Sequence, residues 1–446
     1  MTDFADLLAG LAPSLAAEAE REPGERAARQ PVHTVYGGAH LFRAGTARRL
    51  GELALAALDA HAPTPADLAA ALGPPLAGDD DLAARVHARV IEKLRREPVE
   101  DLRIDFEDGY GNRPDDEEDG HAESAARELA RGAGEGSLPP FVGIRIKPLT
   151  SELGARSLRT LGRFLAVLGE GGGGRLPDGF VVTLPKVTLP EQVETLVAAL
   201  ARLEEELGLG AGAVPIELMV ETPRSILAAD GRAALPGLVS AAAGRCRGAH
   251  LGTYDYTASL GITAAHQRMD HPACDLAKQV MQVALAGTGV WLSDGATNVL
   301  PVAPHRGDGL TDAQRAENRR VVHAAWRLHA AHVTHSLVGA FYQGWDLHPA
   351  QLPSRYAAVY AFFLAGAAAA GERLRTFVEG AARATLSGDV FDDAATGQGL
   401  LNFFLRATSC GALSGEEARR LSGLSDEELA SRSFLRILAG RRRAAG

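Results

Sequence analysis

DLRIDFEDGYG, residues 101–111, carries the pattern from which the fold of this chain is read. Leu102, Ile104 and Phe106 alternate as a half-buried strand requires, while Asp105 and Glu107 fall on the opposite face. Asp108 and Gly109 follow at once. A strand with two carboxylates on one face is either wetted there or feeds acids into a site, because buried charge is costly unless it is paired or holds an ion.

Working outward, seven further runs read as strands: VHTVY (32–36), FVGIRIK (141–147), FVVTLPK (180–186), PIELMVE (215–221), AHLGTYD (249–255), GVWLSD (289–294) and SLVGAFY (336–342). Segments rich in Ala, Leu, Arg and Glu separate most of them, among them HAESAARELARG (121–132) and LPEQVETLVAALARLEEELG (189–208). Eight strands alternating with helices predict an α/β fold, the (β/α)8 or TIM barrel. A doubly wound open sheet alternates in the same way, so the count alone leaves both open. Residues 44–99 read as a helical insertion after the first strand, broken by the turn-rich HAPTPAD and GPPLAGDDD. Residues 1–30 read as an N-terminal amphipathic helical segment, 31–355 as the barrel and 356–446 as a helical C-terminal extension. In that extension Ser414 with Glu417, and Ser425 with Glu428, are spaced as capping boxes. GEGGGGR (169–175) and PDDEED (114–119) read as solvated surface.

The 446 residues are 46% hydrophobic and 23% charged, an ordinary globular composition with material for a large core. A formal net charge of −10 argues against a nucleic-acid partner held by the overall field. Cys246, Cys274 and Cys410 share no CxxC spacing, which excludes a zinc knuckle and disfavours a disulfide framework. The first thirty residues lack the basic flank and uninterrupted apolar run of a signal peptide. VYAFFLAGAAAAG (359–371) falls short of the roughly 18 apolar residues a membrane span needs and reads as a buried helix. A cytoplasmic protein with no membrane partner is the expectation.

In a barrel, chemistry gathers where strands end and βα loops begin. The expected ends carry Glu107 and Asp108, then Arg145 and Lys147, Lys186, Glu221, Asp255 and Asp294. A scaffold alone does not need charge at strand end after strand end. Glu221 and Asp255 each close an apolar run, and two carboxylates with open positions suit Mg2+ or Mn2+. No His cluster stands beside them, which weighs against zinc. Arg145 alternates with Ile144 and Ile146 and so points away from the apolar layer, where a guanidinium can grip a carboxylate through two bonds.

These residues resemble a known family. LRIDFEDGYG…ESAARELARG is similar to the LDLED strand and AAR helix that open the citrate lyase β-subunit and its relatives. IRIKPL sits where that family has an RVN-type strand, and LPKV (184–187) matches a further strand. MVETPRSI (219–226) resembles the family's IET strand, GTYDYTASLG (252–261) its GxxDLxxxLG element, LSDGATNV an IDGP-type strand end, and DLHPAQL (346–352) its closing IHPxQI. The order of the motifs is kept over residues 31 to 355, in the pattern of the HpcH/HpaI aldolase and citrate lyase group of pyruvate- and phosphoenolpyruvate-binding barrels. The chain departs from it in the 44–99 insertion, the helical tail, Tyr254 before the metal-binding Asp, and Tyr256 in place of the usual Leu.

The resemblance implies a metal-dependent carbon–carbon lyase or aldolase that works through an enolate on a small 2-oxo or 3-hydroxy acid, or its acyl-CoA thioester. It implies Glu221 and Asp255 as ligands of Mg2+ or Mn2+, Arg145 as a catalytic and substrate-binding group, and a homo-oligomer. Glu107 and Asp108 are expected to orient Arg145 or metal-bound water. Asp294 and His348 are candidates for proton transfer. Lys186 and His348 are candidates for substrate contact, although Lys186 could equally pair with a barrel carboxylate and His348 could cap a turn. His33 reads as a satisfied barrel histidine. The alternative reading keeps the site and changes the chemistry to phosphoryl transfer or hydrolysis with a phosphoenolpyruvate-like ligand. No GxxxxGK[ST] phosphate loop occurs to support a nucleotide.

Overall fold

A computed structural model describes residues 5–24, 28–173, 175–381 and 394–445. Eight parallel strands close into a barrel in sequence order: β1 (His33–Gly38), β2 (Asp101–Asp105), β3 (Phe141–Arg145), β4 (Phe180–Leu184), β5 (Ile216–Val220), β6 (Cys246–Leu251), β7 (Trp291–Ala296) and β8 (Gln343–Asp346). Closure removes the choice between barrel and open sheet that alternation alone leaves. Val35 of β1 lies between Leu102 of β2 and Asp346 of β8, and Asp105 stands beside Arg145 across β2 and β3.

Before the barrel comes α1 (Ala5–Arg21), and the 44–99 insertion forms α2 (Thr46–His61), α3 (Pro65–Leu72) and α4 (Asp80–Arg96). The crossovers carry α5 (Asp115–Glu135), α6 (Gly154–Gly171), α7 (Pro190–Glu206), α8 (Pro223–Ile226), α9 (Leu235–Ala241), α10 (Thr253–Ser259), α11 (Pro272–Leu285) and α12 (Asp312–Val338). After β8 follow α13 (Leu352–Ala381), α14 (Ala394–Ser409), α15 (Gly415–Ser422), α16 (Asp426–Ala430) and α17 (Phe434–Ala445). Ser414 and Ser425 cap α15 and α16 through the expected boxes with Glu417 and Glu428.

Period-two alternation sorts each strand. Leu102, Ile104, Val142, Ile144, Val182, Leu184, Ile216, Leu218 and Val220 are fully buried toward the helices. The interior is ionic where many barrels are filled by branched apolar side chains. Arg103 Nη2 donates to both carboxylate oxygens of Glu217 (2.7 and 2.7 Å), and its Nε donates to Thr183 Oγ1 (3.1 Å). Its Nη1 contacts Asp101. His250 Nε2 lies 3.4 Å from Glu217 Oε2, and its Nδ1 accepts from Trp345 Nε1 at 3.4 Å. Burial pushes the Asp101 carboxyl up, whereas for Glu217 the Arg103 and His250 charges outweigh burial and hold it low.

A second buried ionic cluster lies outside the barrel wall. His33 pairs with Asp346 (2.7 Å) and accepts from the Glu100 N–H (3.1 Å), so it is the satisfied histidine expected. Asp346 also pairs with Arg355 of α13 (2.9 Å) and His329 of α12 (3.0 Å). Glu100 pairs with Lys93 of α4 (2.6 Å) and Arg29 (2.5 Å). This cluster ties the insertion and α13 to β1 and β8.

Several expectations are corrected. SLVGAFY (336–342) is not a strand: Ser336–Val338 end α12, Ala340 takes a left-handed turn, and the eighth ladder is formed by Gln343–Asp346. The run looks strand-like because it is short and apolar, with Leu337 and Phe341 buried, a pattern that a short run cannot assign to helix or strand. AHLGTYD (249–255) is too late, since β6 ends at Leu251 and residues from Thr253 are helical. PDDEED (114–119) is not simply solvated. Its acids form the first turn of α5, where they complement the helix dipole. Glu118 is buried against Lys147 (3.1 Å) and Thr160 (2.7 Å). In GEGGGGR (169–175), Gly169–Gly171 still belong to α6, and Gly174 lies outside the described residues. The 355/356 boundary cuts through α13, which completes the eighth βα unit. This helix is long and apolar enough to cross a membrane by length and composition, and more than half of it is buried in the protein.

Candidate active site at the barrel mouth

The opening stretch places its acids at three levels. Asp105, the last residue of β2, is fully buried and receives Arg145 through two bonds, from Nε (2.7 Å) and Nη2 (2.5 Å). The N–H groups of Glu107 (3.0 Å) and Gly109 (2.7 Å) complete its shell. Gly109 is required here, because a Cβ would fall 2.7 Å from Asp105 Oδ2. Glu107 is buried with Oε2 at 3.0 Å from Arg145 Nη1, and Asp108 is exposed at the rim, 3.7 Å from the same nitrogen. Sequence reasoning gave the orienting of Arg145 to Glu107 and Asp108, but the bidentate anchor is Asp105. The alternation Asp101, Arg103, Asp105 was the available signal.

Arg145 lies over the ring of Tyr36 (4.7 Å to the centroid) and near Trp345 (5.9 Å), two rings packed 4.4 Å apart. These aromatic residues form the wall of the mouth and were not singled out in the sequence. Burial alone would lower the Arg145 guanidinium, but Asp105 and Glu107 hold it well above its ordinary value. It is a permanent cation.

Across the mouth, Glu221 follows β5 and is 1% exposed. Its Oε1 accepts from the Lys186 N–H at 2.6 Å. A Cβ at position 252 would lie 2.6 Å from Glu221 Oε2, so Gly252 lets β6 close onto the carboxylate. Burial pushes the Glu221 carboxyl up to about 8; Arg145 opposes that rise, and the charges of Glu107 and Asp255 add to it. Asp255 stands within the first turn of α10, not at a strand end, and its Oδ2 is 3.8 Å from Lys186 Nζ. Lys186 Nζ also contacts Glu107 and lies 3.3 Å from Asp108 Oδ1. Burial lowers the Lys186 ammonium, but the bond to Glu107 and the surrounding carboxylates raise it above its usual range. The pairing alternative for this lysine is the one the geometry displays.

The remaining candidates do not join this cluster. Asp294 points outward from β7 to Lys278 of α11 (3.0 Å) and Ser336 of α12 (2.6 Å). Lys147 turns to the Phe106 carbonyl (2.6 Å) and Glu118. His348 caps the turn after β8, its Nδ1 accepting from the Ala350 N–H at 3.1 Å. Burial lowers its imidazole.

Five carboxylates, those of Asp105, Glu107, Asp108, Glu221 and Asp255, thus converge on two cations, Arg145 and Lys186. Such an excess of hard oxygen charge, with one fully buried member pushed up to about 8, fits a divalent cation such as Mg2+. Among the described residues no three His, Cys, Asp or Glu side chains converge as a protein shell. Glu221 and Asp255 would supply two ligands and leave the rest to water and substrate.

Comparison with solved structures places the architecture. A citrate lyase from Burkholderia xenovorans LB400 superposes with a TM-score of 0.56 at 18% identity, over 90% of this chain and 99% of that one. A Haloferax volcanii malate synthase gives 0.47 at 12% identity, covering 92% and 99%. An HpcH/HpaI aldolase from Desulfitobacterium hafniense gives 0.37 at 11%, covering 74% and 90%. At 18% identity the property shared with the citrate lyase is the fold. No curated protein sequence matches the chain. A family model described as a domain of unknown function, DUF6986, matches residues 12–437, and the chain belongs to that family.

Proposed function

We propose that the protein is a carbon–carbon lyase or aldolase that requires Mg2+ or Mn2+ and acts on a small 2-oxo or 3-hydroxy acid or its acyl-CoA thioester. The observation that carries this reading is the convergence of Glu221 and Asp255 with the Asp105-anchored Arg145 at the C-terminal mouth of the barrel. Breaking a bond next to a carbonyl leaves the electron pair on an enolate, whose oxyanion must be stabilised where it forms. The cation held by Glu221 and Asp255 would supply Lewis acidity to the substrate oxygens.

The chain's own residues do the rest. Asp105 fixes the guanidinium plane of Arg145, so that its remaining N–H edge is preorganised for substrate oxygen at no cost in reorientation. Tyr36 and Trp345 shield that cation from water on one side, which strengthens its field. Asp108, exposed at the rim, and Glu107 balance its charge while the mouth is empty.

The test is a panel of 2-oxo acids, 3-hydroxy acids and acyl-CoA esters assayed with Mg2+, Mn2+ or EDTA. Release of pyruvate or glyoxylate that depends on the cation is expected. Calorimetry should show Mg2+ binding weakened at least about tenfold in Glu221→Gln and Asp255→Asn, as loss of a charged ligand demands. Unchanged binding in both variants, or a phosphorylated product in place of bond cleavage, would remove the proposal.

A further inference from the structure

Lys186 reaches the carboxylates of the mouth in two ways, through its main chain and through its side chain. Strand β4 ends at Leu184, and two residues later Lys186 adopts φ +53°, a conformation that side chains other than glycine rarely take. This turn aims its N–H at Glu221 Oε1 (2.6 Å) and sends the side chain across the opening. There the ammonium contacts Glu107, with Asp108 Oδ1 at 3.3 Å and Asp255 Oδ2 at 3.8 Å. The side chain is 31% exposed, so it borders solvent and has room to withdraw.

The charge balance gives this arrangement its meaning. Arg145 is committed to Asp105 by two bonds and to Glu107 at 3.0 Å, while Asp255 faces the Lys186 ammonium. A divalent cation on Glu221 and Asp255 would share the Asp255 carboxylate with an ammonium 3.8 Å away. Two positive groups cannot both use that oxygen without repelling each other.

We infer that Lys186 is a tethered counter-ion: its ammonium holds the carboxylate mouth together when no divalent cation is present, and it competes with that cation for Asp255. The inference rests on the metal reading above and extends it, making Lys186 a positioning residue that sets cation affinity. With a cation on Asp255, the ammonium would give up that carboxylate and keep Glu107 and Asp108, its nearer partners.

The experiment titrates MgCl2 by calorimetry into EDTA-stripped full-length wild type, Lys186→Met and Lys186→Arg. Lys186→Met is expected to bind Mg2+ about tenfold more tightly, since it removes one unit of like charge close to the site. Lys186→Arg, which keeps the charge, stays near wild type. In EDTA, Lys186→Met should melt below wild type, and Mg2+ should raise its melting temperature by more. If Lys186→Met does not fold, Lys186→Gln carries the same test. Equal or weaker Mg2+ binding in the neutral variant overturns the inference while Glu221→Gln and Asp255→Asn still weaken binding. Wild type that binds no Mg2+ overturns the inference and the metal reading together.

Discussion

Arg103 shows what a single residue commits this barrel to. It is 1% exposed and joins Asp101, Thr183 and Glu217 in the centre of the barrel, where no water competes for its hydrogens. Removing one partner of such a buried set strands the others, whereas removing both ends of the main pair does not. Arg103→Met is therefore expected to cost about 3–5 kcal/mol in urea unfolding. Arg103→Met/Glu217→Met should recover a large part of that loss, because Asp101 keeps the Thr34 hydroxyl at 2.8 Å and is already pushed toward its neutral form by burial. A double variant as unstable as the sum of two single losses would show that the pair is not coupled. At this scale the sequence was partly legible. Glu107, Asp108, Arg145, Glu221 and Asp255 were found because each closes or follows an apolar run. Asp105 was read as facing the polar side of its strand but not as the partner of Arg145, and Arg103 was not singled out. Tyr36 and Trp345 gave no signal, since an aromatic residue in a strand reads equally well as core.

Among the elements, α4 depends on charge at its C-terminal end. Glu97, its C-cap, pairs with Arg29 at 2.5 Å and contacts Lys93, while the fully buried Glu100 pairs with the same two cations. Burial would raise the Glu97 carboxyl, but Arg29 and Lys93 outweigh it and hold it at about 2 against an ordinary 4.5. A folded value below the unfolded one means the stabilisation is complete above pH 4.5 and is lost as pH falls toward 2. Melting temperatures measured along this window should fall less steeply for Glu97→Gln than for wild type, and identical slopes would show the pair to be inert. Elements were legible where a capping box marked the start, as for α15 and α16, or where the helical run was long, as for α7. They were misread at SLVGAFY and AHLGTYD, where a few apolar residues span a helix–strand junction. Local propensity cannot place such a junction; ladder partners do.

For the whole molecule, α13 decides how many units the chain contains. It packs on α4 and α12 as the barrel's eighth helix and also receives α14 and α15, with Phe363 against Phe403 (5.4 Å). Phe404 is fully buried in the same core as Tyr356 and Phe363. Phe404→Ala is expected to cost about 3–5 kcal/mol. Scanning calorimetry should show one transition that moves down as a whole, because tail and barrel share α13. Two separated transitions would mean that the tail is an independent domain. The sequence by itself determined the alternation of strands and helices, the helical insertion and tail, and most of the acids and bases at the barrel mouth, since periodicity and turn chemistry are local. Closure of the barrel, the pairing of Arg145 with Asp105, the outward turn of Asp294 and the meeting of Lys186 with Asp255 were decided only by the tertiary structure. Each joins groups tens of residues apart, and their distances are set by strand register and burial, which no local pattern encodes.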